Sequence, residues 1–320
     1  MGFQTIETSN CLILTTVLVL KNNECFSTAF LFKKIKQFIT MKTIKYFINF
    51  SFIALFTLLT SCNNDDDFSE INTSEPGKIQ LKFENGFDNL GGIVLDQTTQ
   101  TSSNGQKHKF TTLKYIISNI TLIDEKGNEF DYHKNDPDKG AFVVDQDSAV
   151  ANVVYLDLEN IPQNKYTKVR FGIGVSQKAY LLGHNGQATF WEKAKRSGLT
   201  WSWAAGYVFI KLEGFYGTNT TDNFFLTHTG NMGDISKNEV PDLYREVTLD
   251  LPTSARVTSK IKPSIHIMAN LNTYLSGVNK LTLDKSTNNV MGSSGFAQLV
   301  TDNMQKMFRV DHVHNNETIN

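Results

Sequence analysis

The sequence predicts an all-β chain: a single-domain antiparallel β-sandwich with short helical insertions. Three observations carry that prediction. Residues 77–315 hold many short apolar runs separated by Gly, Asn, Asp and Ser clusters. Several runs alternate with the period of two that a half-buried strand requires. Apolar residues recur at helical spacing in two places only, over 190–197 and 295–308.

Taken in order, Lys78-Ile79-Gln80-Leu81-Lys82-Phe83-Glu84 alternates cleanly and runs into Asn85-Gly86, a turn signal. Residues 110–123 predict a long strand carrying the turn-like pair Ser118-Asn119. It closes at Asp124-Glu125-Lys126-Gly127-Asn128. Strands are expected next at 141–144, 153–158 and 168–175, followed by the helix at 190–197. Further strands are expected at 223–227, 244–249, 264–269 and 280–283. The helix over 295–308 repeats Phe296, Leu299, Val300, Met304 and Met307 on one side.

Residues 200–214 hold two of the three tryptophans. If extended, this segment places Trp201, Trp203, Tyr207 and Phe209 on one face and Val208, Ile210 and Leu212 on the other. A segment apolar on both sides is a central strand, and core packing is its simplest reading. The small run Ala204-Ala205-Gly206 admits a second backbone at close range or marks a bulge.

Upstream, Met41-Lys42-Thr43-Ile44-Lys45 is a short basic start, followed by an apolar run over 47–59 and by Leu59-Thr60-Ser61-Cys62. Basic residues, an apolar stretch and small residues before a cysteine make a secretory signal peptide, here 41–61. Its ending resembles a bacterial lipobox, in which Cys62 becomes the acylated first residue. The apolar run is shorter than the ~20 residues of a membrane span. A signal peptide works from the N-terminus, so residues 1–40 are expected to be a mis-annotated upstream extension. Asn63-Asn64-Asp65-Asp66-Asp67 opens an acidic, flexible tether over 62–76. These features predict a lipoprotein anchored in the outer membrane, facing the periplasm or the cell surface.

Cysteine use sharpens the chemistry. Cys11 and Cys25 precede Met41 and Cys62 carries lipid, so the exported domain has no thiol and no disulfide. A metal in it is held by His, carboxylate, Met or backbone. The net charge of −1 gives no basic stripe for nucleic acid. No Gly-x-Ser-x-Gly elbow or phosphate-cradling Gly-rich loop is present, and the reading is that the protein is not an enzyme.

Five segments then coincide in order: Leu113-Lys114-Tyr115-Ile116-Ile117-Ser118-Asn119-Ile120, Phe171-Gly172-Ile173-Gly174-Val175, Trp201-Ser202-Trp203-Ala204-Ala205-Gly206-Tyr207, Lys211-Leu212-Glu213-Gly214, and Phe225-Leu226-Thr227-His228-Thr229-Gly230. Together they resemble the MbnP family, copper-binding proteins related to MopE and CorA and common as Bacteroidetes lipoproteins. The resemblance spans residues 78–315. It implies a β-sandwich binding copper (Cu+ or Cu2+) through histidines, with a tryptophan oxidised to kynurenine in some members. It also implies a di-haem MauG-like peroxidase as partner. Trp201 and Trp203 match the Trp-rich signature and are the candidates for oxidation.

Of the seven histidines, four are candidate metal ligands. His228 ends an apolar run beside Gly230 and Gly233; its alternative is a hydrogen-bonded residue supporting a loop. His184, between Gly183 and Asn185-Gly186, is a loop ligand or a plain exposed histidine. Asp311-His312-Val313-His314 puts His312 and His314 on one side of an extended chain, a chelating spacing at a terminus that commonly frays. His266, between Ile265 and Ile267, reads as a packed or hydrogen-bonded sheet residue. His108 and His133, among Lys and Asp, read as solvated. Met232 is a soft-ligand candidate or a gap-filler. The expected function is copper acquisition or homeostasis. The alternative is a metal-free surface module binding glycan or protein through Trp201, Trp203 and Tyr207.

Overall fold

The computed structural model describes residues 75–238 and 240–316. The expectations for the extension over 1–40, the signal peptide over 41–61, Cys62 and the tether up to residue 74 fall outside the described residues. The chain runs β1 (Gly77–Phe87), β2 (Gly91–Gly92), β3 (Thr99–Thr101), β4 (Lys107–Asp124), β5 (Glu129–Asp131), α1 (Pro137–Gly140), β6 (Phe142–Asp145), β7 (Val153–Ile161) and β8 (Asn164–Ile173). Next come α2 (Gln177–Tyr180), α3 (Ala188–Arg196), β9 (Ile210–Gly217), β10 (Asn223–Thr229), α4 (Ile235–Asn238) and β11 (Arg245–Val257). The last elements are β12 (Ser264–Asn270), α5 (Thr273–Ser276), β13 (Asn289–Gly292), α6 (Gly295–Met304) and β14 (Phe308–His314).

Two sheets form the expected sandwich. The first has the order β14-β12-β1-β2, with β7 also paired to β1. The second has the order β11-β8-β4-β9-β10-β13, with β3, β5 and β6 also on β4. Most pairs are antiparallel, but β1 with β12 and β10 with β13 run parallel. Parallel partners cannot be joined by a tight hairpin, and in both pairs the partners are far apart in sequence.

Alternation explains the core. In β1, Ile79, Leu81 and Phe83 are buried, while Lys78, Gln80, Lys82 and Glu84 face outward. Phe83 meets Phe171 of β8 edge-on at 5.7 Å and Tyr115 of β4 at 6.4 Å, which locks one sheet to the other. Phe308 closes the cluster 5.1 Å from Phe171.

Four expectations are corrected. Asn85-Gly86 is not a turn: β1 continues to Phe87, because the buried Asn85 accepts from Tyr115 Oη and donates to Gln146 Oε1, both at 2.9 Å. Residues 280–283 are not a strand. Leu281 and Leu283 are buried by a loop whose Leu283 backbone exchanges hydrogen bonds with the Gln106 amide. The last helix stops at Met304, and Phe308 opens β14. His108 is not solvated: it is buried among Phe87, Phe110 and Tyr274. The pair Ser118-Asn119 is a bulge in β4, where the register with β8 shifts and Asn119 takes φ +50°.

The Trp-rich segment is the largest departure. The strand begins only at Ile210, and residues 200–207 form a loop closed by a bridge between Thr200 and Tyr207. Trp201 is 5% exposed and its indole N–H donates to Asn231 O at 3.0 Å. Trp203 is 59% exposed, its ring 5.3 Å from that of Trp201. Gly206 causes the turn-out. It holds φ +130°, and a Cβ there would lie 2.3 Å from Asn231 O. The close backbone approach expected at Ala204-Ala205-Gly206 is real, and it makes a loop rather than a strand.

Candidate metal centre

The outer face of the first sheet gathers the densest set of metal-ligating side chains. β12 reads Ser-Ile-His-Ile-Met-Ala-Asn: Ile265, Ile267 and Ala269 are buried, so His266 and Met268 take the outward phase. β14 pairs with it antiparallel, Met268 opposite Arg309 and Ile267 opposite Val310. Unbroken alternation from the buried Phe308 would turn His312 inward. The register instead shifts, so that His312 lies opposite His266 and Val313 opposite Ile265. Asp311 is the extra residue. This one-residue bulge brings His312 out beside His266.

The result is compact. One ligand atom each from His266, Asp311 and His312 lies within 4.8 Å of the others, and among the described residues this is the single group of three such side chains. The rings of His266 and His312 are 4.8 Å apart, and those of His312 and His314 are 4.4 Å apart. Asp311 Oδ2 holds His312 Nδ1 at 2.7 Å, while Oδ1 accepts from Arg309 at 2.8 Å. Those two bonds hold the Asp311 carboxyl below its usual range. Burial, which favours the neutral ring, pushes the His266 imidazole below its ordinary value against the opposing pull of nearby Glu84. His266 Nε2 is shielded from solvent and lies 2.9 Å from Glu84 Oε2. Two imidazoles and a carboxylate are a donor set suited to copper or zinc.

The four sequence candidates separate. His312 and His314 share one face, as their spacing predicts. His228 lies on β10, far along the chain's other sheet, with Nε2 2.8 Å from Glu213 Oε1. Burial lowers its basicity. Lys211 Nζ is 3.4 Å from the same carboxylate oxygen, which sets an ammonium beside the ring. Burial pushes Glu213 up, but Lys211, His228 and Thr112 together bring it below its ordinary value. His228 is thus the hydrogen-bonded residue of the alternative reading, in a network already balanced in charge.

His184 is exposed on a single turn, 6.2 Å ring to ring from Trp191, and lines a cleft of about 390 Å³ with Tyr180, Gln187, Asp234 and Lys237. Met232 packs over Gly292. Sequence reasoning missed His266 and Asp311. The available signal was the outward phase of His266 between two buried isoleucines; nothing local announced that β14 would lie alongside.

The MbnP family model matches residues 76–292. His266 lies inside that span, and Asp311, His312 and His314 lie beyond it. Among solved structures, MbnP from Methylosinus trichosporium is similar at 13% identity, covering 67% of this chain and 83% of that one, with a TM-score of 0.38. No curated protein matches the chain.

Proposed function

We propose that this chain, which belongs to the MbnP family, binds copper through His266, His312 and Asp311 on the outer face of its first sheet, with His314 alongside. The family is associated with copper. The observation that carries the assignment to these residues is the convergence of one ligand atom each from His266, Asp311 and His312 within 4.8 Å of one another. Copper here is cargo. The imidazoles supply borderline nitrogen donors, and the carboxylate supplies charge. Arg309 is held by Asp311 and stands 3.9 Å from Asp88, which orients its guanidinium along the strand end. The test is copper retention by metal-depleted protein after reloading and desalting. The expected result is about one bound ion, lost in His266→Ala and His312→Ala and kept in His228→Ala. Retention by both of the first two variants would overturn the assignment.

The remaining expectations belong to the same proposal. Acylation at Cys62 tethers the domain outside the cytoplasm in the outer membrane, for copper acquisition or homeostasis. Metabolic labelling with palmitate that leaves Cys62→Ala unlabelled supports this, and equal labelling sinks it. The domain carries copper rather than turning over a substrate. If a di-haem peroxidase oxidises a tryptophan, Trp203 is the one an external oxidant reaches, because Trp201 is buried. Peptide mass spectrometry of protein from its native host locates the modified residue.

A second reading has its own support. Trp203 is 59% exposed beside the ring of Trp201, an aromatic surface fit for a glycan or protein contact. That reading predicts copper-free protein from the host and binding abolished by Trp203→Ala.

A further inference from the structure

We propose that the cleft between α2, α3 and α4 binds a neutral saccharide, with Trp191 as the surface on which a sugar ring lies. The proposal is independent of the copper surface, none of whose histidines lines this cleft. Its walls come from α2 and the turn over 183–186, from α3 with Trp191, and from the stretch carrying Asp234 and Lys237. Ala205 of the Trp-rich loop completes the lining. The volume of about 390 Å³ lies within the ~300–1,000 Å³ of small-molecule sites.

The walls are fixed by one buried side chain. Gln187 is 1% exposed, and its amide nitrogen lies 3.0–3.2 Å from the carbonyl oxygens of Ala179, Tyr180 and Gly183. Its side-chain oxygen accepts from Tyr207 Oη at 2.8 Å. A single amide thus ties the end of α2 and the following turn to the close of the Trp-rich loop. Tyr207 in turn supports Trp191, the rings 5.0 Å apart and inclined at 66°. Walls already ordered lose little conformational freedom when a ligand arrives.

The charges favour an uncharged ligand. Asp234 Oδ1 accepts from the Ser236 hydroxyl at 2.6 Å and from Gln177 Nε2 at 3.3 Å, while Oδ2 holds Lys237 Nζ at 3.1 Å. Ser236 and Lys237 keep this carboxyl below its usual range, so it stays ionised. A cation would meet a carboxylate already committed to donors, and an anion would meet an ammonium already paired. Burial and the Asp234 carboxylate push the Tyr180 phenol up, so it remains a hydroxyl that both donates and accepts. One lining therefore offers an indole together with hydroxyl, imidazole, carboxylate and ammonium groups. A ring with an apolar C–H face and a rim of hydroxyls satisfies both kinds of surface at once.

The experiment titrates the full chain with neutral tetrasaccharides of glucose, mannose, galactose and xylose, by calorimetry and tryptophan fluorescence. At least one is expected to bind saturably, one per chain. Trp191→Ala is expected to weaken it by at least about tenfold. His184→Ala and Lys237→Ala alter exposed side chains, keep the proposal testable if the tryptophan variant fails to fold, and are each expected to weaken binding by about two- to tenfold. Wild type that binds none of the four at millimolar concentration overturns the proposal. So does tighter binding of a uronic acid oligosaccharide than of any neutral one, or affinity equal to wild type in both His184→Ala and Lys237→Ala. Binding lost in Trp203→Ala but kept in Trp191→Ala overturns it in favour of the exposed tryptophan pair.

Discussion

Replacing His108 with leucine should stabilise the protein, increasingly so as the pH falls. The ring of His108 is fully buried, with edge contacts to Phe87, Phe110 and Tyr274 at 5.6–6.1 Å, and neither nitrogen has a hydrogen-bond partner. Burial pushes its imidazole from 6.5 down to about 4. At pH 7 the ring is neutral in both folded and unfolded chains, and the penalty is that of its unpaired polar atoms, about 1–3 kcal/mol. Between pH 6.5 and 4 the unfolded chain takes a proton that the folded chain refuses. Stability present in full above pH 6.5 is therefore lost as the pH falls toward 4, and levels off below. At 1.36 kcal/mol per unit, a shift of this size amounts to about 3 kcal/mol. Leucine removes both penalties. Urea unfolding of wild type and His108→Leu at pH 7, 6, 5 and 4 isolates the effect, since other titrations cancel in the difference. The advantage of the variant should grow by about 3 kcal/mol across that range. A difference flat with pH would refute the reasoning, as would a variant less stable than wild type at pH 7.

Three further outcomes are expected. Trp201→Ala should cost about 3–5 kcal/mol and Trp203→Ala only about 0.5 kcal/mol, by urea denaturation, since one ring is buried and hydrogen-bonded and the other is exposed; equal losses would contradict the loop described. Gly206→Ala should destabilise by more than about 2 kcal/mol, because it sets a Cβ against Asn231 O in a backbone region that disfavours side chains; a thermal midpoint equal to wild type would dismiss that strain. Tyr115→Phe removes the hydroxyl that donates to Asn85 in the core and should cost about 1–3 kcal/mol in calorimetry, with no change in copper retention.

The sandwich was legible because its strands obey one simple rule. In β1, β10 and β12, alternation separates a buried face from a solvated one, and that is local information. The Trp-rich segment misled because apolarity on both faces is common to a central strand and to a loop pinned against the core. What distinguishes them is Gly206 lying on the backbone of Asn231, a contact distant in sequence. His108 misled for the converse reason: its lysine neighbours are solvated precisely where the pleat turns the imidazole inward, so composition and orientation disagree. The site was half legible. The chelating spacing of His312 and His314 is written in four residues, whereas His266 joins them only through the pairing of β14 with β12, which no local pattern encodes.

The bulge at Asp311 makes the carboxylate of this surface separable from its imidazoles. Asp311 is the residue that the ladder between β12 and β14 skips. Deleting it alone would restore plain alternation from Phe308 through Val310 and leave His312 outward, still opposite His266. The surface would lose its acid and keep its pair of rings. Two relatives with the same histidines could thus present this face with or without a built-in negative charge, and the spacing between Val310 and His312 is where the two kinds differ.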